Sequence, residues 1–261
     1  MAYQMGDFAW SASLLQEAVR KITDDPELLY ETAEALYSLG RVEEAETSMR
    51  DALNLTEVNP SAPPDGQSQK LFTRAEQARR FLEMTGLSAN PVLTATGRVE
   101  QLLKIEPDHV PALMALGAIN EKRLDAVAAQ ITYEKALARF PDFTPAKLRL
   151  AVLGASKAEY DQKAYDLAQQ ARTAYPNDPE LAKALGILLY RKGGEYNRAV
   201  NLLKQSSVSR TNDAELMYYL GLAQFQAKDL AGSRQSLQKS LDLGLRPDLA
   251  TEARKALSRL K

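Results

Sequence analysis

The chain of 261 residues has no cysteine, one histidine (His109) and one tryptophan. Without cysteine there is no disulfide framework, no thiolate metal site and no cysteine nucleophile. A single histidine removes multi-histidine zinc sites and most Ser-His-Asp arrangements. Neither sign of charge dominates: 33 Lys and Arg stand against 34 Asp and Glu, a net of −1. That balance argues against nucleic acid as the main partner, because phosphate affinity comes from clustered cations. The longest apolar run, Val110 to Ile119, covers ten positions, short of the ~18–20 that cross a bilayer, so no transmembrane segment is expected. No segment alternates polar and apolar residues as a strand would, and no glycine-rich phosphate loop follows one. What the chain does have is 45% hydrophobic residues, enough for a core and too many for a disordered tail.

Those residues recur with a long period. A triplet of small, bulky and small (or apolar) residues, with internal steps of four and three, appears as Ser11-Leu15-Ala18, Ala45-Met49-Ala52, Ala95-Val99-Leu102 and Ala129-Tyr133-Ala136. It continues as Ala164-Ala168-Ala171, Ala199-Leu203-Ser206 and Ser233-Leu237-Ser240. First members lie 34, 50, 34, 35, 35 and 34 residues apart. Steps of four and three put all three side chains on one helix face, where the small members let a neighbouring helix come close. A Leu-small pair precedes the later triplets by 12 or 13 residues: Leu116-Gly117, Leu150-Ala151, Leu185-Gly186 and Leu220-Gly221. Each unit therefore holds two helices joined by a short turn, with turn signals at Gly40, Gly193-Gly194 and Lys228-Asp229. Pro107, Pro141 and Pro176 close the second helices. Asp25-Pro26-Glu27, Thr144-Pro145 and Asp178-Pro179-Glu180 are cap-then-proline starts for the next first helices.

This skeleton resembles the tetratricopeptide repeat, a helix–turn–helix of ~34 residues. The best single match is Val110–Phe143, with Leu113, Leu116, Gly117, Ala129, Tyr133, Ala136 and Pro141. The resemblance implies an all-α, right-handed superhelical solenoid of antiparallel helix pairs. It would hold six to seven repeats, including a partial first one, and a C-terminal cap helix. The expected organisation is one solenoid over residues 1–261: a partial repeat at 1–24, a repeat at 25–57, and a degenerate repeat at 58–109 with an inserted loop at 56–68. Repeats follow at 110–143, 144–178, 179–213 and 214–246, and the cap helix is 247–261.

The interval of 50 residues is the main departure. Thr56 to Ser68, with Asn59-Pro60 and Pro63-Pro64-Asp65-Gly66, reads as a surface loop. A longer helix is expected from about Gln67 to Met84, then a slack turn from Thr85-Gly86 to Asn90-Pro91. At the N-terminus, Ala2 to Phe8 read as the end of a first helix and its turn, and Phe8 to Ile22 as the second. The partner for Leu14, Leu15 and Val19 is then mostly missing, which suggests a fragment of a longer protein or a homo-oligomer paired through this open end.

Short catalytic patterns have plainer explanations. Ser236-Leu237-Gln238-Lys239 and Ser258-Arg259-Leu260-Lys261 fit S-x-x-K, but the first lies inside a second helix and the second at the chain end. His109 follows Pro107-Asp108 in an inter-repeat loop, where a solvated imidazole is expected. No enzyme activity, cofactor or metal is expected. In the resembling family, first helices line a concave groove. The groove-side residues here are Tyr30, Glu34 and Tyr37, then Met114, Ala118 and Glu121, then Leu148 and Val152. The later units give Lys183, Ile187 and Tyr190, then Tyr218, Leu222 and Phe225. This lining is largely apolar and aromatic, with Lys183 and Arg191 as scattered cations. Met114, Ala118, Leu148 and Val152 stand where chaperone-binding relatives clamp a C-terminal carboxylate, so that specialised role is not expected. The expected function is a scaffold holding a peptide or helix of a protein partner in the groove. The alternative is a structural spacer or self-assembly segment of a larger protein. RNA binding, as in pentatricopeptide repeats, would need a basic inner surface, and the groove has one Lys against Glu34 and Glu121. No signal peptide or lipidation motif survives, but a truncated N-terminus would remove one, so for a soluble chain the cytoplasmic and periplasmic or exported settings both stay open.

Overall fold

The computed structural model describes residues 7–55, 73–157 and 161–260. Among them every regular element is helical, with no strand. The inserted loop at 56–68, the first turn around Ala2 and the terminal Lys261 lie outside the described residues. Two compact units form, residues 1–146 and 147–261.

The first unit contains α1 (Phe8–Lys21), α2 (Pro26–Ser38), α3 (Val42–Asn54), α4 (Ala75–Ala89), a 3-10 turn (Leu93–Ala95), α5 (Thr96–Ile105), α6 (Val110–Lys122) and α7 (Ala126–Arg139). Aspartates start several of these helices. Asp25 Oδ1 accepts the Glu27 and Leu28 amides at 3.1 and 3.2 Å, and Asp125 Oδ1 accepts the Ala128 amide at 2.9 Å. Each satisfies amides that the first turn leaves without an intrahelical partner. Gly40 turns the chain between α2 and α3 at φ +79°, where a side chain would be strained. Triplet residues Ala45, Met49 and Ala52 of α3 are fully buried, as is Tyr133 of α7. The ring of Tyr133 lies where a Cβ on Gly117 would be, 2.3 Å from its Cε1. The Leu-Gly pair is therefore a cut in α6 that admits the aromatic of the following helix.

The sequence reading of the 67–107 stretch needs correction. Residues 67–72 lie outside the described set, and α4 runs on through Thr85 and Gly86 to Ala89. A lone exposed glycine costs a helix only about 1 kcal/mol. Gly86 has open space around it, and the helix ends instead at Asn90, before Pro91. Some contacts also reach beyond adjacent helix pairs. Phe8 of α1 meets Phe140, just past α7, edge-on at 5.1 Å. Gly40 backs onto Thr144 and Pro145. Tyr37 packs on both Phe81 and Phe143 at 5.0 Å. Burial of these rings draws distant helix ends together. On α1, Trp10 and Leu14 remain exposed, while Leu15 and Val19 are half-buried.

The division between the units falls within α8 (Thr144–Ser156). The second unit continues with α9 (Gln162–Ala174), α10 (Pro179–Lys192), α11 (Tyr196–Ser207), α12 (Ala214–Gln226), α13 (Leu230–Asp242) and α14 (Pro247–Ser258). Its core is continuous from Leu148 to Leu260. The small-residue logic recurs: a Cβ on Gly186 would meet Leu203 Cγ at 2.7 Å, and one on Gly221 would meet Leu237 Cγ at 2.6 Å. In the α8–α9 pair the close approach falls on Gly154, where an added Cβ would meet the Ala164 Cβ at 2.2 Å.

Candidate functional site

Side chains from four segments of the first unit converge on a cleft of about 630 Å³. α2 supplies Tyr30, Glu34 and Tyr37, whose spacing of four and three places them on one face. α4 supplies Gln77, Arg80 and Phe81; the stretch leading into α6 supplies Glu106 to Pro111; the end of α7 supplies Arg139 and Phe140. The volume lies within the range of ordinary ligand pockets.

The electrostatics are uneven. The Tyr30 hydroxyl donates to Glu34 Oε1 at 3.1 Å. Burial raises the Glu34 carboxyl above its ordinary range, offset only in part by that hydrogen bond and by the charge of Arg74. Burial, with the Glu34 charge beside it, also pushes the Tyr30 phenol well above its ordinary value. The Arg74 guanidinium lies 5.0 Å over the Tyr30 ring, and it pairs with Glu27 at 3.2 Å and Glu31 at 3.4 Å. Arg80 is held by Glu106 at 2.9 Å, and Arg139 stands 5.2 Å over the Phe140 ring. His109 is not the solvated imidazole expected. It is half-buried, caps α6, and its Nδ1 accepts the Ala112 amide at 3.2 Å. Burial lowers its pKa, which favours the neutral ring.

Of the residues expected to line a groove, Tyr30, Glu34 and Tyr37 meet in this cleft. Met114 and Ala118 do not line it; Met114 is buried and Ala118 half-buried on α6. In the second unit, Val152, Tyr190, Leu222 and Phe225 are half-buried against the core that holds Leu148, Ile187 and Tyr218. Ile187 is 2% and Tyr218 6% exposed, as buried as the Tyr30, Tyr37, Phe81 and Phe140 rings of the cleft at 4–7%. The inward face of a first helix is also the face on which the next pair packs. Lys183 is no scattered cation: its Nζ donates to both Asp213 oxygens at 3.0 Å and to Glu215 at 2.9 Å. Arg191 donates to the Ala155 carbonyl at 2.9 Å and to the Tyr219 hydroxyl at 2.6 Å. The Ser236 hydroxyl, first of an S-x-x-K match, is buried and donates to Gln224 Oε1 at 2.7 Å.

Reading one helix face at a time missed Arg80, Phe81, Glu106, His109, Arg139 and Phe140. The available signal was positional. Phe140-Pro141 and Glu106-Pro107 both end second helices, and repetition brings such ends to one side.

A family model described as tetratricopeptide repeat matches residues 2–63 and 184–250. Similar solved structures include YrrB, a TPR protein with an unusual peptide-binding site, at 16% identity over 94% of this chain and 99% of that one, TM-score 0.45. A tetratricopeptide repeat protein from Parabacteroides merdae is 18% identical over 99% of this chain and 94% of its own, TM-score 0.42. Yeast Tom70 is 16% identical over 97% of this chain and 58% of its own, TM-score 0.31. No curated protein matches the chain. Helix pairs repeating at about 34 residues, small residues at each close contact and the family match together make this an all-α tetratricopeptide repeat protein. The class is a protein-interaction repeat. Among the described residues no helix is long and apolar enough to cross a membrane.

Proposed function

We propose that the chain is a non-catalytic scaffold that holds a segment of a partner protein, and that the cleft of the first unit is where the segment anchors. The observation that carries this reading is the cleft itself: about 630 Å³ edged by Tyr30, Tyr37, Phe81 and Phe140. The wall is mixed, with Glu34, Arg80, Glu106, Asp108 and Arg139 among the rings, so the guest would be a peptide with polar groups rather than a wholly apolar helix face. The repeat limits read from the sequence belong to the same proposal.

A peptide-library selection on the immobilised full chain tests it. Gln77 is exposed and lines the cleft, so Gln77→Trp fills the space from its rim and leaves the core untouched. Selected peptides should lose at least tenfold in affinity for Gln77→Trp at unchanged helical signal. Peptides that bind the variant as well as the parent would place recognition elsewhere and overturn the reading.

A further inference from the structure

The charges of the cleft are not matched. Arg80 and Glu106 satisfy each other at 2.9 Å. Arg139 is exposed, with its guanidinium over the Phe140 ring. Asp108 is exposed at the edge. Glu34 is the exception: half-buried, it accepts one hydrogen bond, from the neutral Tyr30 hydroxyl, and no cation of the described residues lies within ion-pairing distance. A carboxylate partly removed from water, hydrogen-bonded only by a phenol and otherwise eased by the Arg74 charge beyond pairing distance, has electrostatic capacity left over. His109 supplies no competing cation, because its Nδ1 accepts the Ala112 amide and burial keeps the ring neutral.

The surroundings of Glu34 suit one kind of guest. Tyr30, Tyr37, Phe81 and Phe140 line the same cleft, and their ring faces attract cations, guanidinium above all. The chain already makes this contact at two of these rings: Arg74 lies over Tyr30 at 5.0 Å, its charge answered by Glu27 and Glu31, and Arg139 lies over Phe140 at 5.2 Å. Arg74 is not among the residues lining the cleft, and Arg139, which is, stands exposed.

We propose that the cleft receives an arginine side chain of the partner segment, with Glu34 as its charge partner and the four aromatic residues as its walls. This rests on the reading of the chain as a peptide-holding scaffold and names the chemistry of the peptide. The guanidinium donates to Glu34 while its aliphatic stem lies along the rings, and Asp108 at the edge favours the approach of a cationic segment. A carboxylate guest would have only exposed Arg139 to meet and would face Glu34 and Asp108.

The test titrates the full chain, followed by NMR, with three probes: blocked arginine (N-acetyl-arginine methylamide) and its citrulline and glutamate counterparts. Citrulline keeps the shape of arginine and lacks its charge. The arginine probe should shift signals of Tyr30, Phe81 and Phe140, and citrulline should bind at least tenfold more weakly. Glu34→Gln, which preserves size and an acceptor for Tyr30, should bring arginine down to the citrulline level with its melting behaviour intact. Gln77→Trp should abolish the arginine shifts. Equal binding of citrulline, stronger binding of the glutamate probe, indifference to Glu34→Gln, or no shifts at tens of millimolar arginine probe would each overturn the assignment. Failure of the scaffold reading looks different: selected peptides would ignore Gln77→Trp. Peptides that respect Gln77→Trp but have no need of arginine would leave the scaffold reading standing and remove this one.

Discussion

At Gly117, Gly186 and Gly221 the absence of one methyl group decides how closely two helices of a repeat approach. Adding a Cβ at Gly117 would drive it into the fully buried Tyr133 ring at 2.3 Å, while Gly86 on α4 has nothing within 4 Å. The same substitution should therefore act in opposite directions. Gly117→Ala is expected to lower unfolding free energy by about 1–3 kcal/mol through overpacking. Gly86→Ala should raise it by up to about 1 kcal/mol from helix propensity alone. Urea denaturation of both variants checks the pair. His109 gives a second test at this scale. Its folded pKa is lowered by burial, so the unfolded chain takes up the proton more readily as pH falls below about 6.5. The contribution of His109 to stability is whole above that value and is lost as pH drops through the lower folded pKa. His109→Asn keeps a side-chain acceptor for the Ala112 amide and removes the titration. Glu34, with its raised pKa, works in the opposite sense and is common to both proteins. Between pH 7 and 5 the parent should thus lose stability relative to His109→Asn.

The elements are held by their ends as much as by their faces. At the start of α12, Asp213 accepts the Leu216 amide at 2.9 Å and binds Lys183 through both oxygens, with Arg210 at 3.2 Å. Burial works against its charge, but the amide and Lys183 outweigh it and hold the carboxyl below the usual carboxylate range. Asp213→Ala removes a cap and leaves Lys183, 14% exposed, with Glu215 alone. A loss of about 1–3 kcal/mol at pH 7 is expected by chemical denaturation. The parent should keep that contribution down to about pH 4 and lose it below. Elements of this kind were legible in the sequence because their signals are local. Asp25-Pro26 and Asp178-Pro179 announce α2 and α10, and each triplet after the first marks a buried helix face. The end of α4 was less so, because Gly86 carries a breaker's identity in a place where nothing opposes a helix. Glu17 and Lys21 form the surface pair their spacing suggests, at 3.0 Å.

For the molecule as a whole, the repeat was readable and the cleft was not. Periodicity records which faces are buried, and it found Tyr30, Glu34 and Tyr37 because they share one helix face. It is silent on contacts made by rings at helix ends. Phe8 against Phe140, and Tyr37 against Phe81 and Phe143, join residues up to 132 positions apart, and no spacing rule within a repeat anticipates them. Those contacts border the open cleft of the first unit, which has its own charge imbalance. Met114, Ile187 and Tyr218, inward by register, are themselves buried.

The central claim is that a partner's segment docks in the first unit's cleft. Chemical-shift mapping of the isotope-labelled full chain, titrated with a peptide chosen by selection, tests it most directly. The account predicts that the largest shifts fall on Tyr30, Glu34, Phe81, His109 and Phe140, with α10 to α14 unmoved. Shifts confined to the second unit, or spread over exposed helix faces with those five residues silent, would contradict it.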